Sequence, residues 1–218
     1  MNGKDILYQL AQAYSHFESY SDTGSVTTVF HPNTEEQRER KFQFKTAFRR
    51  PSSFRFEWIE KDHRLISERK FVIWSDTKGA YSKYPWNESI EIARDLDQAI
   101  ARATGISGRS AHTVPALLMD ATTVEGKRIT EPYEAELVRE EVWQNNFCYR
   151  IKALFTWSDS TETWAEDILV GTDNYFLLGI ESTGLVEQSD GESFQKFTKT
   201  VYGDVQHDVE IPEDSFRL

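Results

Sequence analysis

Between residues 42 and 58 the chain alternates: Phe42, Phe44, Phe48, Phe54, Phe56 and Trp58 hold even positions, and mostly polar or charged residues hold the odd ones. A period of two on both sides of Arg49-Arg50-Pro51-Ser52-Ser53 predicts a hairpin with one aromatic face. The period is different at the start of the chain. Ile6, Leu7, Leu10, Tyr14 and Phe17 recur at helical spacing, which predicts a helix over 5–18 that packs on the sheet. Val26 and Phe30 then alternate with threonines as a strand, and the charged stretch 31–41 reads as a solvated connection. Residues 71–76 and 79–84 read as two more strands joined by a turn at Asp76-Thr77-Lys78-Gly79.

The pattern then changes again. Over 88–105, Ile92, Leu96, Ala99, Ile100 and Ala103 share one helical face that stops at Gly105, and 110–119 continues as a second, broken helix with Pro115 near its start. Strand signals return over 147–157, where Phe147, Tyr149, Ile151, Phe155 and Trp157 share one parity, and continue through 160–170, 174–182 and 193–211 with turns at 171–174 and 189–191. The outline is a helix, about five strands, a central helical insertion, and about five more strands, all in one domain spanning 1–218. The expected fold is mainly β with α. It is an unclosed antiparallel half-barrel whose concave aromatic face is covered by the N-terminal helix and the central insertion, since only these offer complementary apolar stripes.

Composition narrows the chemistry. Acidic residues outnumber basic ones by 36 to 25, for a formal charge of -11, which argues against nucleic acid or an anionic membrane surface as the main partner. No run approaches the roughly 20 apolar residues of a membrane helix. Cys148 is the single cysteine, so no internal disulfide forms, and as a lone strand cysteine it reads as a packing residue. The first 20 residues lack the segments of a signal peptide, and a leader removed earlier would leave no trace.

Motifs for catalysis are sparse. The glycine-rich 105–110 segment lacks a phosphate-loop lysine and reads as a helix-ending turn. Histidines 16, 31, 63, 112 and 207 show no metal-ligand spacing, so neither a metal nor a cofactor is expected. His112, beside a serine and an apolar run, is the one candidate for a general base; hydrogen bonding within the helical insertion is the simpler role. Pairs such as Asp95 with Asp97, or Glu166 with Asp167, are ordinary on solvated faces. The aromatic excess carries more weight. Beyond the six residues of the hairpin there are Trp74, Tyr81, Tyr84, Trp86, Trp143, Trp157 and Trp164, and flat rigid rings suit an acyl chain because they exclude water without directional partners.

The succession of segments 6–26, 44–58, 71–84, 103–118, 147–151 and 209–216 resembles bacterial proteins of the LolA/LolB-like lipoprotein-carrier superfamily, in order over nearly the whole chain. The resemblance implies a bacterial cell-envelope, periplasmic protein that carries or senses a lipid, a lipoprotein acyl group or another hydrophobic ligand without catalysis. Its partners would be such an acyl chain or another envelope protein. On this reading Phe42, Phe44, Phe48, Phe54, Phe56 and Trp58 form the hydrophobic wall, and residues 88–119 form a lid through Leu96, Ile100, His112, Leu117 and Leu118. The carrier's lid-holding arginine falls in the region of Arg49, Arg50 and Arg55, and no motif selects among them. No lipobox cysteine lies near the first residue. A protein-interaction module with a filled core, and an enzyme on the same fold, are the rival readings.

Overall fold

The computed structural model describes residues 1–218 apart from 33, 36, 61–67, 157–162 and 188–192. Its elements run α1 (Gly3–Ser15), β1 (Ser19–Phe30), β2 (Arg38–Arg49), β3 (Ser53–Glu60), β4 (Arg69–Asp76), β5 (Gly79–Lys83), β6 (Glu91–Ala93), α2 (Leu96–Thr104), α3 (Ser110–Leu118), β7 (Glu134–Trp143), β8 (Asn146–Thr156), β9 (Thr163–Gly171), β10 (Leu177–Glu187) and β11 (Ser193–His207), then a short 3-10 turn, Glu213–Phe216. The strands form an open sheet in the order β6-β5-β4-β3-β2-β1-β11-β10-β9-β8-β7, with β6 and β7 as its edges. The fold is mainly β with helices, and its sheet is antiparallel and unclosed, as expected. Trp157 and His63, both named from the sequence, lie outside the described residues.

The chain divides into two compact units. The first comprises 1–14, 27–40 and 127–201. Its helix starts where the sequence provides a reciprocal cap: the Asn2 side chain accepts from the Asp5 amide at 2.9 Å, and the Asp5 carboxylate accepts from the Asn2 amide at 3.0 Å. Ile6, Leu7, Leu10 and Tyr14 are its buried stripe. The helix meets β7 so closely that a Cβ on Gly3 would lie 2.8 Å from the Ala135 carbonyl carbon. Phe17, expected on the same helix, lies beyond its end. Ile151, Ala153, Phe155, Ile168 and Val170 are buried on alternate positions of β8 and β9. Cys148 packs with Trp143 and Leu169, and burial pushes its thiol up.

The other unit comprises 15–26, 41–126 and 202–218. Register fixes which residues share a face. Phe44 stands opposite Trp58, Thr46 opposite Phe56 and Phe48 opposite Phe54, while Trp58 faces Phe71 and Phe56 faces Ile73 on the next strand. The hairpin turn therefore leaves all six predicted wall residues on one face, and β4 and β5 extend that face through Phe71, Ile73, Ser82 and Ala80. Trp74 pairs with Arg55 and Tyr81, so both of these aromatics belong to the opposite face. Trp143 and Trp164 belong to the first unit.

The helical insertion differs from its sequence reading in two respects. Ile92 is in β6, 76% exposed, because Asp95 ends the strand and caps α2, its carboxylate accepting from the Gln98 amide at 2.9 Å. Pro115 is inside α3 and not at its start; at this sixth position it has no amide hydrogen to donate back to the Ala111 carbonyl one turn earlier. Among the described residues five strands precede residue 88, β6 lies within the insertion, and five strands follow it.

Candidate functional site

In the second unit, the site is a wall, a cover and the contacts that hold the cover down. The wall is fully shielded: Phe48, Phe54, Phe56 and Trp58 have no exposed surface, and Phe42 and Phe44 are at most 4% exposed. Its rings run as a ribbon across the strands. Tyr202 meets Phe44 edge-on at 5.4 Å, Phe44 stacks on Phe56 at 5.6 Å, Phe56 lies 5.5 Å from Trp58, and Trp58 stacks almost parallel on Phe71 at 4.6 Å. Phe71 then meets Tyr84 at 6.4 Å and Trp86 at 5.3 Å, and those two stack at 5.1 Å. The ribbon begins among buried rings and ends at Trp86, which is 67% exposed. Sequence placed Tyr84 and Trp86 near the wall; their continuity with it depends on register.

The cover is α2 and α3. Helix α2 packs on β4, β5, β6 and α3, burying Leu96, Ala99, Ile100 and Ala103. Leu117 and Leu118 are buried on α3. The bend between the helices rests on the wall itself: Gly108 has φ of 60°, and a Cβ there would lie 3.2 Å from a Val26 methyl and 3.7 Å from the Phe42 ring. Glycine permits both the left-handed backbone and the close approach. The glycine-rich segment thus serves as the tip of the cover.

Arg50 fastens the other end. Its guanidinium donates to the backbone carbonyls of Leu118 at 3.1 Å, Phe17 at 2.9 Å and Ser15 at 2.5 Å, and lies over the Phe48 ring at 5.7 Å. Of the three arginines offered by the sequence, this is the one bonded to the end of α3. Arg49 and Arg55 point elsewhere, to Glu213 and to the Arg217 carbonyl respectively. Periodicity separates Arg50 from neither neighbour, because the choice is made by where the hairpin turn lies against α3.

His112, half-buried on α3, has its Nε2 at 2.8 Å from the Glu125 carbonyl, while the Glu125 amide donates to Asp97 at 2.8 Å. These two bonds tie the segment after α3 back to both helices, so His112 joins the cover as a brace. No group of three or more His, Cys, Asp or Glu among the described residues is arranged to hold a metal ion.

Asp22 is a buried carboxyl on β1, and sequence reasoning passed over it. It is 3% exposed, accepts from the Tyr20 hydroxyl at 2.8 Å, and burial pushes its carboxyl up to about 6 against the pull of the Thr46 and Tyr20 hydroxyls. The face opposite the wall is chemically different. A groove of about 330 Å³ there is lined by Thr23, Lys45, Arg55, Glu57 and Asp204. Burial pushes Glu57 up, but Arg55 and Lys70, both within 2.9 Å, outweigh it and hold the carboxyl below its ordinary value. Such a groove has nothing to offer an apolar chain.

No family model matches the chain, and no curated protein matches it. Solved structures do. LprF from Mycobacterium bovis is similar with a TM-score of 0.52 at 9% identity, over 97% of this chain and 96% of that one. A LolA superfamily protein from Nitrosomonas europaea has a TM-score of 0.37 at 12% identity, over 100% and 98% of the two chains. A chain of the Pseudomonas aeruginosa MucA/MucB complex has a TM-score of 0.46 at 11% identity, over 99% of this chain and 60% of that one. The likeness to LprF is one of fold.

Proposed function

We propose that this chain is a non-enzymatic binding protein of the bacterial cell envelope that shelters a lipid, a lipoprotein acyl group or a similar hydrophobic ligand between the aromatic wall and the α2–α3 lid. The observation that carries the reading is the pairing of six buried aromatic residues with a helical cover whose tip, Gly108, rests against the wall and whose far end is bonded at Leu118 by Arg50. Lifting the cover would expose Phe42, Phe44, Phe48, Phe54, Phe56 and Trp58. Closing it on a guest would remove the guest's apolar surface from water, at about 25 cal/mol per Å² before ordering costs. Leu96, Ile100, Leu117 and Leu118 occupy the covered side when no guest is bound, so a ligand must displace them, and binding is weak enough to permit release. His112 acts as part of the brace.

Native mass spectrometry of gently purified protein, with organic extraction of what it releases, tests the reading. A stoichiometric lipid or acylated molecule supports it. A clean apo mass with no uptake from added lipid extract overturns it in favour of a protein-interaction module with a filled core. That second reading draws on the completeness of the wall's burial and on the exposed pair Val142 and Phe147, which face each other across β7 and β8.

A further inference from the structure

Trp58 is the largest fully buried side chain on the wall, and its indole Nε1 has no hydrogen-bond partner among the described residues. A buried indole N–H normally finds an acceptor, because leaving one unmade sacrifices the group's hydration without return. Other polar atoms on this face are less isolated. The Thr46 hydroxyl lies where it lowers the Asp22 carboxyl, and the Ser82 hydroxyl where it lowers the Tyr84 phenol, and both can rotate toward those neighbours. The indole can only donate, and packing fixes its direction: Phe71 lies flat against it at 4.6 Å and Phe56 flanks it at 5.5 Å.

Resting on the carrier reading above, we propose that Trp58 is a ligand-specificity residue: its indole N–H donates to the carbonyl oxygen of an acyl ester or amide bound beneath the lid. The ring ribbon supplies the direction. A polar head group must reach water, and the ribbon is exposed only at Trp86, two ring steps from Trp58 through Phe71 at 4.6 and 5.3 Å. The hydrocarbon chain takes the opposite course, over Phe56 and Phe44, where every ring is buried. The preferred ligand is therefore an acylated amphiphile, with a bare hydrocarbon or an alkyl ether as a poor substitute.

The test compares 1-palmitoyl lysophosphatidylcholine with its 1-O-hexadecyl ether analogue, which keeps head and chain and lacks the carbonyl. Calorimetric titration below the micellar range should show the wild-type protein binding the ester about five- to tenfold more tightly, the size of one buried hydrogen bond. Trp58→Phe should bring that ratio to about one; the smaller ring leaves a cavity, so the melting temperature of the unliganded variant is expected to fall by a few degrees and is measured alongside to show that it folds. In ¹⁵N-tryptophan-labelled wild-type protein, the Trp58 indole proton should move downfield with the ester and not with the ether, a readout that does not depend on the variant folding. Equal affinity for the two lipids in the wild type, or an ester preference that survives Trp58→Phe, overturns the role of Trp58 and leaves the carrier reading standing. Failure of the wild type to bind either lipid overturns both.

Discussion

The two compact units cover their strands in opposite ways. In the first, α1 is bonded into what it covers: Gly3 sits against the β7 backbone, and the Tyr14 hydroxyl accepts from the Leu177 amide at 3.3 Å while the Tyr14 ring meets Phe176 edge-on at 5.9 Å. Its buried guanidinium is matched as well. Burial opposes the charge on Arg150, but Glu141, Glu181 and Asp167, all within 2.9 Å, hold its guanidinium firmly protonated. In the second unit the cover lies on a ring ribbon, meets it through side-chain packing and a glycine tip, and leaves an indole donor and a carboxyl of raised pKa inside. Buried polar groups without matched partners lower stability, so the two covers should respond differently to substitution.

That contrast can be attacked by substitution. The largest effects should come from matched ring deletions. Phe56→Ala in the second unit and Phe155→Ala in the first each remove a fully buried ring and should each cost about 3–5 kcal/mol in urea denaturation. Only Phe56→Ala should alter lipid uptake, and equal effects on uptake would erase the distinction between the units.

Asp22→Asn should act in the stabilising direction. The folded-state carboxyl titrates near 6 against an ordinary value of 3.8, so the folded protein binds the extra proton and loses stability as pH rises between those values. The substitution should add up to about 3 kcal/mol at pH 8 and nothing below about pH 4. A gain that is the same at both pH values would rule out the buried carboxyl as its source.

Arg50→Ala removes three charged donor bonds to backbone carbonyls, at a cost of about 1–3 kcal/mol, and should speed lipid uptake more than it weakens binding at equilibrium. Arg50→Lys should restore little, because one ammonium cannot reproduce the planar fork that reaches all three. The smallest effect, about 1 kcal/mol, is expected for Gly108→Ala, where φ of 60° and the Val26 contact both resist a methyl group. Amide exchange should then quicken in α2 and α3 and stay unchanged in α1.

Much of this organisation could be read from the sequence, and the parts that escaped did so for identifiable reasons. Alternation between Phe42 and Trp58 located the wall, because a one-residue error would move every ring to the other face. Helical spacing found both covers yet mistook Ile92 for a member of α2, since an apolar residue at the right interval cannot report that Asp95 starts the helix after it. Trp74 and Tyr81 counted toward the aromatic excess near the wall, and cross-strand register puts them on the opposite face. Arg50, Asp22 and the Trp58 indole were beyond reach for a common reason. Their importance lies in the fold around them: carbonyls from other segments for Arg50, burial beside Thr46 for Asp22, and for the indole the absence of an acceptor among the described residues, none of which a local pattern records.

The sheet is open at both ends, and unpaired strand edges recruit other strands. At one end β6 is only three residues long, too short to template a new neighbour. At the other, β7 spans ten residues but carries Glu134, Glu136, Glu140 and Glu141, and its pairing with β8 slips between Leu137 and Arg139. Four carboxylates and a bulge repel and misalign an incoming strand, so an unclosed sheet remains protected from polymerising with its own copies at high concentration.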